Sequence, residues 1–464
     1  MRSRSRVALE FAGGRTGTAS LTWGQRAIWR AIERTRPGDH YFNSSRTLRL
    51  DGNRAFTVPQ VLAALRQVVE RHEALRTRLV PGADEPRQQL YAAGEMTVDL
   101  VGTGTPGPAA DKDNDTVAAV AQRLAALYCA RGYDYTDAWP VRIGIVAGAD
   151  NLPRAVVMGF CHVATDYTGS GVVMRDLAAA LDGTLAPAPG AVQPLDLARH
   201  QESPDGRRRA EASARWWERS HQRIPVSMFE KEHFAPEQPR FQRLELISPA
   251  LAKALPGVAA RASVSTATTL IAASAAALRE LTGHRICALL AISGNRVGAT
   301  VREMVSTLSM EALLVVEVDG ADTFDELQRR AGRATLAGYR HGDYDERDRE
   351  RVVAAESAVR GAPVHPYCCV NDLRTERRGP GAATRERARP RELLDRTRLR
   401  PLSPLERLGC RFCLHIADAP GGLSLQVTAD TGYLPVKGMR DFALGVERLV
   451  VSAADGDVAL SAPL

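Results

Sequence analysis

Apolar residues recur along the chain at two periods, and the alternation between them predicts a mixed fold. SLTWGQRAIWRAIE (20–33) opens on Ser/Thr cap candidates and then sets Trp23, Ile28, Trp29 and Ile32 near helical spacing. SRTLRLDG alternates as a strand and ends on Asp-Gly. In TVPQVLAALRQVVERHEALRTRLV, Val61, Leu62, Leu65, Val68, Val69 and His72 keep a helical period, with Pro59 near the first turn. YDYTDAWPVRIGIVAG and RAVVMGFCHV read as two strands, and SGVVMRDLAAALDG as a helix stopped by Asp-Gly.

The second half repeats the mixture. A helix carries Trp216 and Trp217, and STATTLIAASAAALRELTG is a small-residue helix behind a Ser or Thr cap. HRICALLAISGNR reads as a buried strand, FDELQRRAGRATLAGYRHG as a helix, and HPYCCVNDLR, RFCLHIAD and LSLQVTAD as strands. DTGYLPVKGMRDFALGVERLVVSAA closes the chain with a helix, and no short-period repeat is present.

At 464 residues the chain is too long for one hydrophobic core, so two lobes are expected. The Pro-, Ala- and Gly-rich stretch 184–206 marks the join, which divides the chain into a flexible segment 1–19, an N-terminal lobe 20–183, a linker 184–214 and a C-terminal lobe 215–464. With 44% hydrophobic and 25% charged residues the composition is that of a soluble globular protein, and no run of about 18 apolar residues offers a membrane span. The first residues lack a sustained apolar region and a cleavage site, so the protein is expected to be cytoplasmic.

Charge and cysteines add little. The formal charge of +7 is scattered, and the densest basic run, within 374–404, mixes acids, Pro and Gly without aromatics. It reads as a flexible solvated loop rather than a nucleic-acid surface. Seven cysteines form no framework. Cys410 and Cys413 make one CxxC, but no second CxxC or close His pair accompanies it, so reduced thiols and no metal site are expected.

The candidate chemistry lies in CHVATDY (161–167), where His162 precedes Asp166 by four residues after a strand. By itself that pattern fits a core histidine as readily as a base. Its neighbours change the reading. LTWGQRAIW (21–29), RHEALRTRL (71–79) and CHVATDY stand in the order and spacing of the condensation-domain family of nonribosomal peptide synthetases, and RHEALRT nearly reproduces that family's consensus. YDYTDAWPVRIGIV, ISGNR (292–296), a degraded YRHGDYDERDRERVV (339–353), CCVNDLR and the final helix extend the resemblance over roughly 20–455. It implies an α/β (α+β) fold of two chloramphenicol acetyltransferase-like lobes in a V-shaped pseudo-dimer with a tunnel between them. With no adenylation or carrier segment left over, it also implies a free-standing member.

The resemblance assigns roles residue by residue. His162 matches the second histidine of the family's His-His-x-x-x-Asp-Gly pattern and is the candidate catalytic residue, as general base, nucleophile holder or stabiliser of the tetrahedral intermediate. Asp166 matches the aspartate that pairs with an arginine, here Arg296, in an expected bidentate bridge with a structural role. Three departures stand out. Cys161 replaces the first histidine and is read as a small buried filler rather than a nucleophile. Tyr167 replaces Gly: a strained turn is expected, with the ring either pointing off the tunnel and leaving the chemistry intact or narrowing the tunnel and changing or abolishing it, and with Gly169 and Gly171 as sources of flexibility. MVSTLSM (304–310) departs from Gly-Phe-Val-Asn-Thr, with Ser309 taken at the Asn position; Tyr167, Gly171 and Ser309 are expected to line the tunnel.

Three functions remain in view. One is an acyltransferase joining an acyl or aminoacyl thioester, borne on the phosphopantetheine arm of a carrier protein, to an amine or alcohol. Another is an acyl-coenzyme A-dependent transferase of the same fold. A third is a non-catalytic module that docks carrier proteins. None needs a permanently bound cofactor, nucleic acid or membrane, and fold alone does not choose among them.

Overall fold

The computed structural model describes residues 3–50, 54–103, 113–187, 190–374 and 388–460. It divides into two compact units, the first formed by residues 1–208 with 294–309 and the second by 209–293 with 310–464.

The first unit is built from β1 (Ser3–Ala12), β2 (Gly17–Ser20), α1 (Trp23–Thr35), β3 (Ser44–Arg49), α2 (Val58–Arg71), β4 (Thr77–Val80), β5 (Arg87–Leu90), β6 (Ala93–Gly102), α3 (Asp113–Ala130), β7 (Val141–Ala147), β8 (Pro153–Phe160), α4 (Tyr167–Leu181), α5 (Pro194–Glu202) and the start of α6 (Pro204–His221). Five strands form a sheet in the order β1-β6-β7-β8-β3, parallel at β6/β7 and otherwise antiparallel. Both faces are covered, which explains the continuous apolar run of β8. Val156 and Met158 join the cluster that holds Val61, Leu65 and Val68 of α2 and Val172, Val173 and Leu177 of α4. Ala155 and Val157, on the alternate face, join Val117, Val120, Leu124 and Tyr128 of α3.

Two expectations are corrected here. Within the segment expected to be flexible, Ser3–Ala12 instead pairs along β6, with Leu9 and Phe11 buried in the alternation that a strand requires. Residues 184–214 are not a plain linker either. They contain α5 and much of α6; Leu195 and Ala198 pack on Ala19 and Leu90, and Asp196 pairs with Arg15.

RHEALRT acts as a joint. His72 Nε2 donates to Asp176 of α4 at 3.0 Å, and Arg71 Nε donates to the same carboxylate at 2.8 Å. Burial lowers the His72 pKa in spite of Asp176, so the ring is a neutral donor at pH 7. Arg76, whose side chain is almost wholly buried, donates to the carbonyls of Tyr91 at 2.6 Å, Arg15 at 3.0 Å and Gly13 at 3.3 Å.

The second unit contains β9 (Phe241–Ser248), α7 (Pro249–Arg261), α8 (Thr266–Thr282), β10 (Ile286–Ser293), β11 (Met310–Glu317), α10 (Phe324–Arg340), α11 (Glu346–Arg360), β12 (Cys368–Asp372), β13 (Arg398–Leu405), β14 (Phe412–Ala419), β15 (Gly422–Asp430) and α12 (Val436–Ala453), while the short α9 (Ala299–Arg302) lies in the segment assigned to the first unit. Its sheet runs β11-β10-β12-β14-β15-β9-β13, parallel at β10/β12 and β12/β14. Alternation gives the sheet two unlike faces. Val370, Phe412, Leu414, Leu425, Val427, Leu244 and Leu246 are buried on one, whereas Cys369, Cys413, His415, Gln426, Thr428, Glu245 and Arg243 share the other.

The stretch 339–353 becomes the turn from α10 into α11, capped by Asp345. Of the basic run expected to be a loop, 375–387 lies outside the described residues. Residues 390–396 form a 3-10 turn, and β13 pairs with β9 through Arg400 and Leu402, with a register shift before Leu405. Among the described residues, no helix is long and apolar enough to cross a membrane.

Replacing Arg76 with Met would leave three part-buried carbonyls without this donor and the buried Glu73 carboxylate without this cation. A loss of at least about 3 kcal/mol is expected, read as a lowered midpoint in urea unfolding.

Candidate active site

The sequence leaves β8 at Phe160, makes one tight turn and enters α4 at Tyr167. The turn closes through the Ala164 amide on the Cys161 carbonyl at 3.0 Å, and the Cys161 amide donates to Pro140 at 2.9 Å. Asp166 is the N-cap of α4, accepting from the Gly169 amide at 2.8 Å. The same carboxylate oxygen accepts from Arg296 Nη2 at 2.7 Å, and the other oxygen accepts from the amides of Leu308 and Ser309, each at 3.1 Å. Asp166 and Arg296 are both buried.

The pairing of Asp166 with Arg296 is present, but end-on through one nitrogen rather than as a bidentate fork. The reason is competition. Arg296 Nη1 is taken by the carbonyls of Met304 at 2.7 Å and Val301 at 3.3 Å, while Nη2 also reaches Ser306 at 3.1 Å. One guanidinium thus ties its own loop together and fastens it to the cap of α4.

His162 is half-buried at the start of this turn. The Thr307 hydroxyl donates to the His162 carbonyl, and the same oxygen lies 3.4 Å from Nδ1. With its hydrogen given to the carbonyl, the hydroxyl meets Nδ1 as a long-range acceptor. A ring proton on Nδ1 fits this contact and leaves the lone pair on Nε2. Burial lowers the His162 pKa, against the opposing effects of its own backbone, Asp166 and the Thr165 backbone. The imidazole is therefore neutral at pH 7.

Cys161 and Tyr167, two of the departures from the family pattern, are each held by other neighbours. Cys161 is buried in a cluster with Leu21, Trp29, Ile32, Leu79, Tyr133 and Val163, and burial pushes its thiol up to about 12. A thiol so protonated is no nucleophile. Tyr167 is the first residue of α4 and has no positive φ, so the turn is unstrained. Its ring is exposed and lies under the Arg46 guanidinium at 3.8 Å, while Arg46 also donates to the Tyr167 carbonyl at 2.8 Å and the Ser170 hydroxyl at 3.1 Å. Gly171 is exposed with open space about it, and Ser309 meets Asp166 through its backbone.

Three contributors have no signal in the local sequence. A Cβ on Gly169 would stand 2.2 Å from Thr165 Oγ1 and 3.3 Å from Arg296 Nη2, so closeness rather than flexibility requires glycine there. A Cβ on Gly24 would stand 2.3 Å from the Thr307 carbonyl, so α1 touches the same loop through its bare backbone. Thr307 lies far along the chain from His162. A cavity walled by Gln25, Leu79, Tyr133, Tyr135, Cys161 and Val163 does not include His162; it is a packing gap beneath the turn.

Known proteins resemble this chain in sequence and in fold. The family profile for the condensation domain matches residues 15–351. Phosphinothricin tripeptide synthetase PhsC of Streptomyces viridochromogenes is 27% identical over 322 residues, covering 67% of this chain and 28% of that protein. The chain thus spans little more than a quarter of that relative's length. A structure from the enacyloxin polyketide synthase, described for condensation domain-mediated chain release, superposes with a TM-score of 0.71 at 17% identity, over 94% of this chain and 82% of that one. The X-domain in complex with OxyB from teicoplanin biosynthesis gives 0.68 at 20% identity, over 98% of each chain. At these identities the likeness is one of fold, the chloramphenicol acetyltransferase-like type.

Asp166→Ala would strand Arg296 as a buried unpaired charge. A loss of about 3–5 kcal/mol is expected, together with new tryptic cleavage after Arg296 and Arg302 as the loop is released. Gly169→Ala should give the same cleavage through overlap alone, and mass spectrometry of the fragments checks both.

Proposed function

The chain belongs to the condensation-domain family, and from that premise we propose that it is a bond-forming acyltransferase. Its donor is an acyl or aminoacyl group held as a thioester on the phosphopantetheine arm of a carrier protein. Its acceptor is an amine, or an alcohol. The observation that carries this reading is the state of His162: a neutral ring at the start of the turn, with the Thr307 hydroxyl 3.4 Å from Nδ1.

In that state Nε2 accepts the proton of the attacking amine as the new C–N bond forms at the thioester carbon. The proton then passes to the departing thiolate as the C–S bond breaks, which balances the step without a covalent enzyme intermediate. Cys161 takes no part, and Asp166 acts by fixing the turn rather than by touching the reactants. No resident cofactor enters; the pantetheine arm arrives and leaves with its carrier.

A second reading is a docking module without chemistry. Cys161 and Tyr167, in place of the family's His and Gly, favour it, as does the likeness of fold to the X-domain found in complex with OxyB.

The deciding experiment replaces the chromosomal gene with a His162→Ala version and profiles metabolites beside wild type and a full deletion, with protein abundance checked. Loss of a product, with its acid or amine half accumulating, supports the acyltransferase. An unchanged profile beside a deletion that lacks the product overturns it in favour of docking. In vitro, with a loaded carrier protein, the rate should rise with pH along a limb centred below about 6.5 and stay flat through neutrality, because a lowered pKa keeps the base unprotonated at lower pH. A limb centred above that value contradicts the assigned role.

A further inference from the structure

The second unit holds a side-chain group that the proposed reaction does not use. In the sequence, Cys410 and Cys413 stand as a CxxC without further ligands. The fold supplies a third thiol. β12 and β14 run parallel, with Cys369 in register with Cys413 and Cys368 in register with Phe412. Residues in register on adjacent strands project to the same side of a sheet, and successive residues alternate. Cys369 and Cys413 therefore share the polar face, while Cys368 and Phe412 are buried on the apolar one. Cys410, just before β14, brings its thiol back to the pair.

The three sulfurs lie within 4.8 Å of one another. Cys413 is buried, whereas Cys369 and Cys410 are half-buried. All three are free thiols. A disulfide would use two of them and leave the third without a purpose. A single ion at about 2.3 Å from each would set the sulfurs about 3.8 Å apart, a small contraction of what the fold already provides.

We propose that Cys369, Cys410 and Cys413 bind a thiophilic divalent cation of the zinc class as three thiolates, with water in the fourth position. Among the described residues, no further His, Cys, Asp or Glu completes the group. Each thiol releases its proton to solvent on binding, so uptake is proton-linked and favoured as pH rises. The ion has a structural role: it fastens the turn before β14 to β12, on the face opposite the apolar core. Soft thiolate donors and tetrahedral preference select zinc over magnesium or calcium.

The test uses the whole purified chain, stripped of metal under reducing conditions and titrated with Co2+. The expected result is one Co2+ per chain with intense tetrahedral d–d bands, thiolate-to-metal charge transfer in the near ultraviolet, and displacement by Zn2+. Alkylation mapped by mass spectrometry should show Cys369, Cys410 and Cys413 protected by Zn2+, with Cys129 as the unprotected control. Cys369→Ser should lose about a third of the charge-transfer intensity, one thiolate of three. Weak octahedral absorption, or equal alkylation with and without Zn2+, overturns the proposal. So does isolation of the protein, with thiols blocked at lysis, bearing a disulfide between two of the three. The wild-type titration and protection stand even where the variant fails to fold.

Discussion

The carboxylate of Asp166 accepts from Gly169, Arg296, Leu308 and Ser309, and the shape of the turn that carries His162 follows from that convergence. A buried carboxylate is costly unless its lone pairs are filled, and here they are filled from the first turn of α4 and from the 294–309 loop. The cap fixes where α4 begins, the arginine fixes the loop, and the loop delivers Thr307 to His162. Farther along α4, Asp176 is held by His72 and Arg71. One helix is thus tied by aspartates both at its cap and along its length, and the two best-matched family motifs are the two ends of that restraint.

The site was legible in proportion to how local its signals are. His162 and Asp166 fall within one heptapeptide, and Arg296 stands in a short motif of its own. The bonding mode of the pair was not legible, because the carbonyls that occupy Arg296 come from the loop's folded path. Gly169 and Gly24 look like any glycines near a helix start; only the atoms that crowd them reveal why no side chain fits. Thr307 has no periodic or motif signal, since its partner is brought up by folding.

The same limit applies to the fold. Long periodic segments such as α2, α8 and α12 announce themselves through packing demands that recur every turn. β1 does alternate Val7, Leu9 and Phe11, but arginines at its start disguise a strand as a frayed end. The Pro-rich stretch after α4 breaks helices and yet also starts them: Pro194 and Pro204 each sit at a first helical turn, where a missing amide hydrogen costs nothing. The gathering of three cysteines was hidden in the sequence for a related reason. Strand register, which places Cys369 beside Cys413, is not written in either local sequence.

The last strand of the second sheet has a consequence for the company the protein keeps. β13 lies at the sheet margin, carries Pro401 and Pro404, and slips register before Leu405. A proline offers no amide hydrogen, and the exposed Arg398 resists close approach by a like copy, while Arg400 is paired with Glu245. That margin is therefore a poor template for another chain to extend, which keeps a seven-stranded sheet from seeding aggregates through its exposed border.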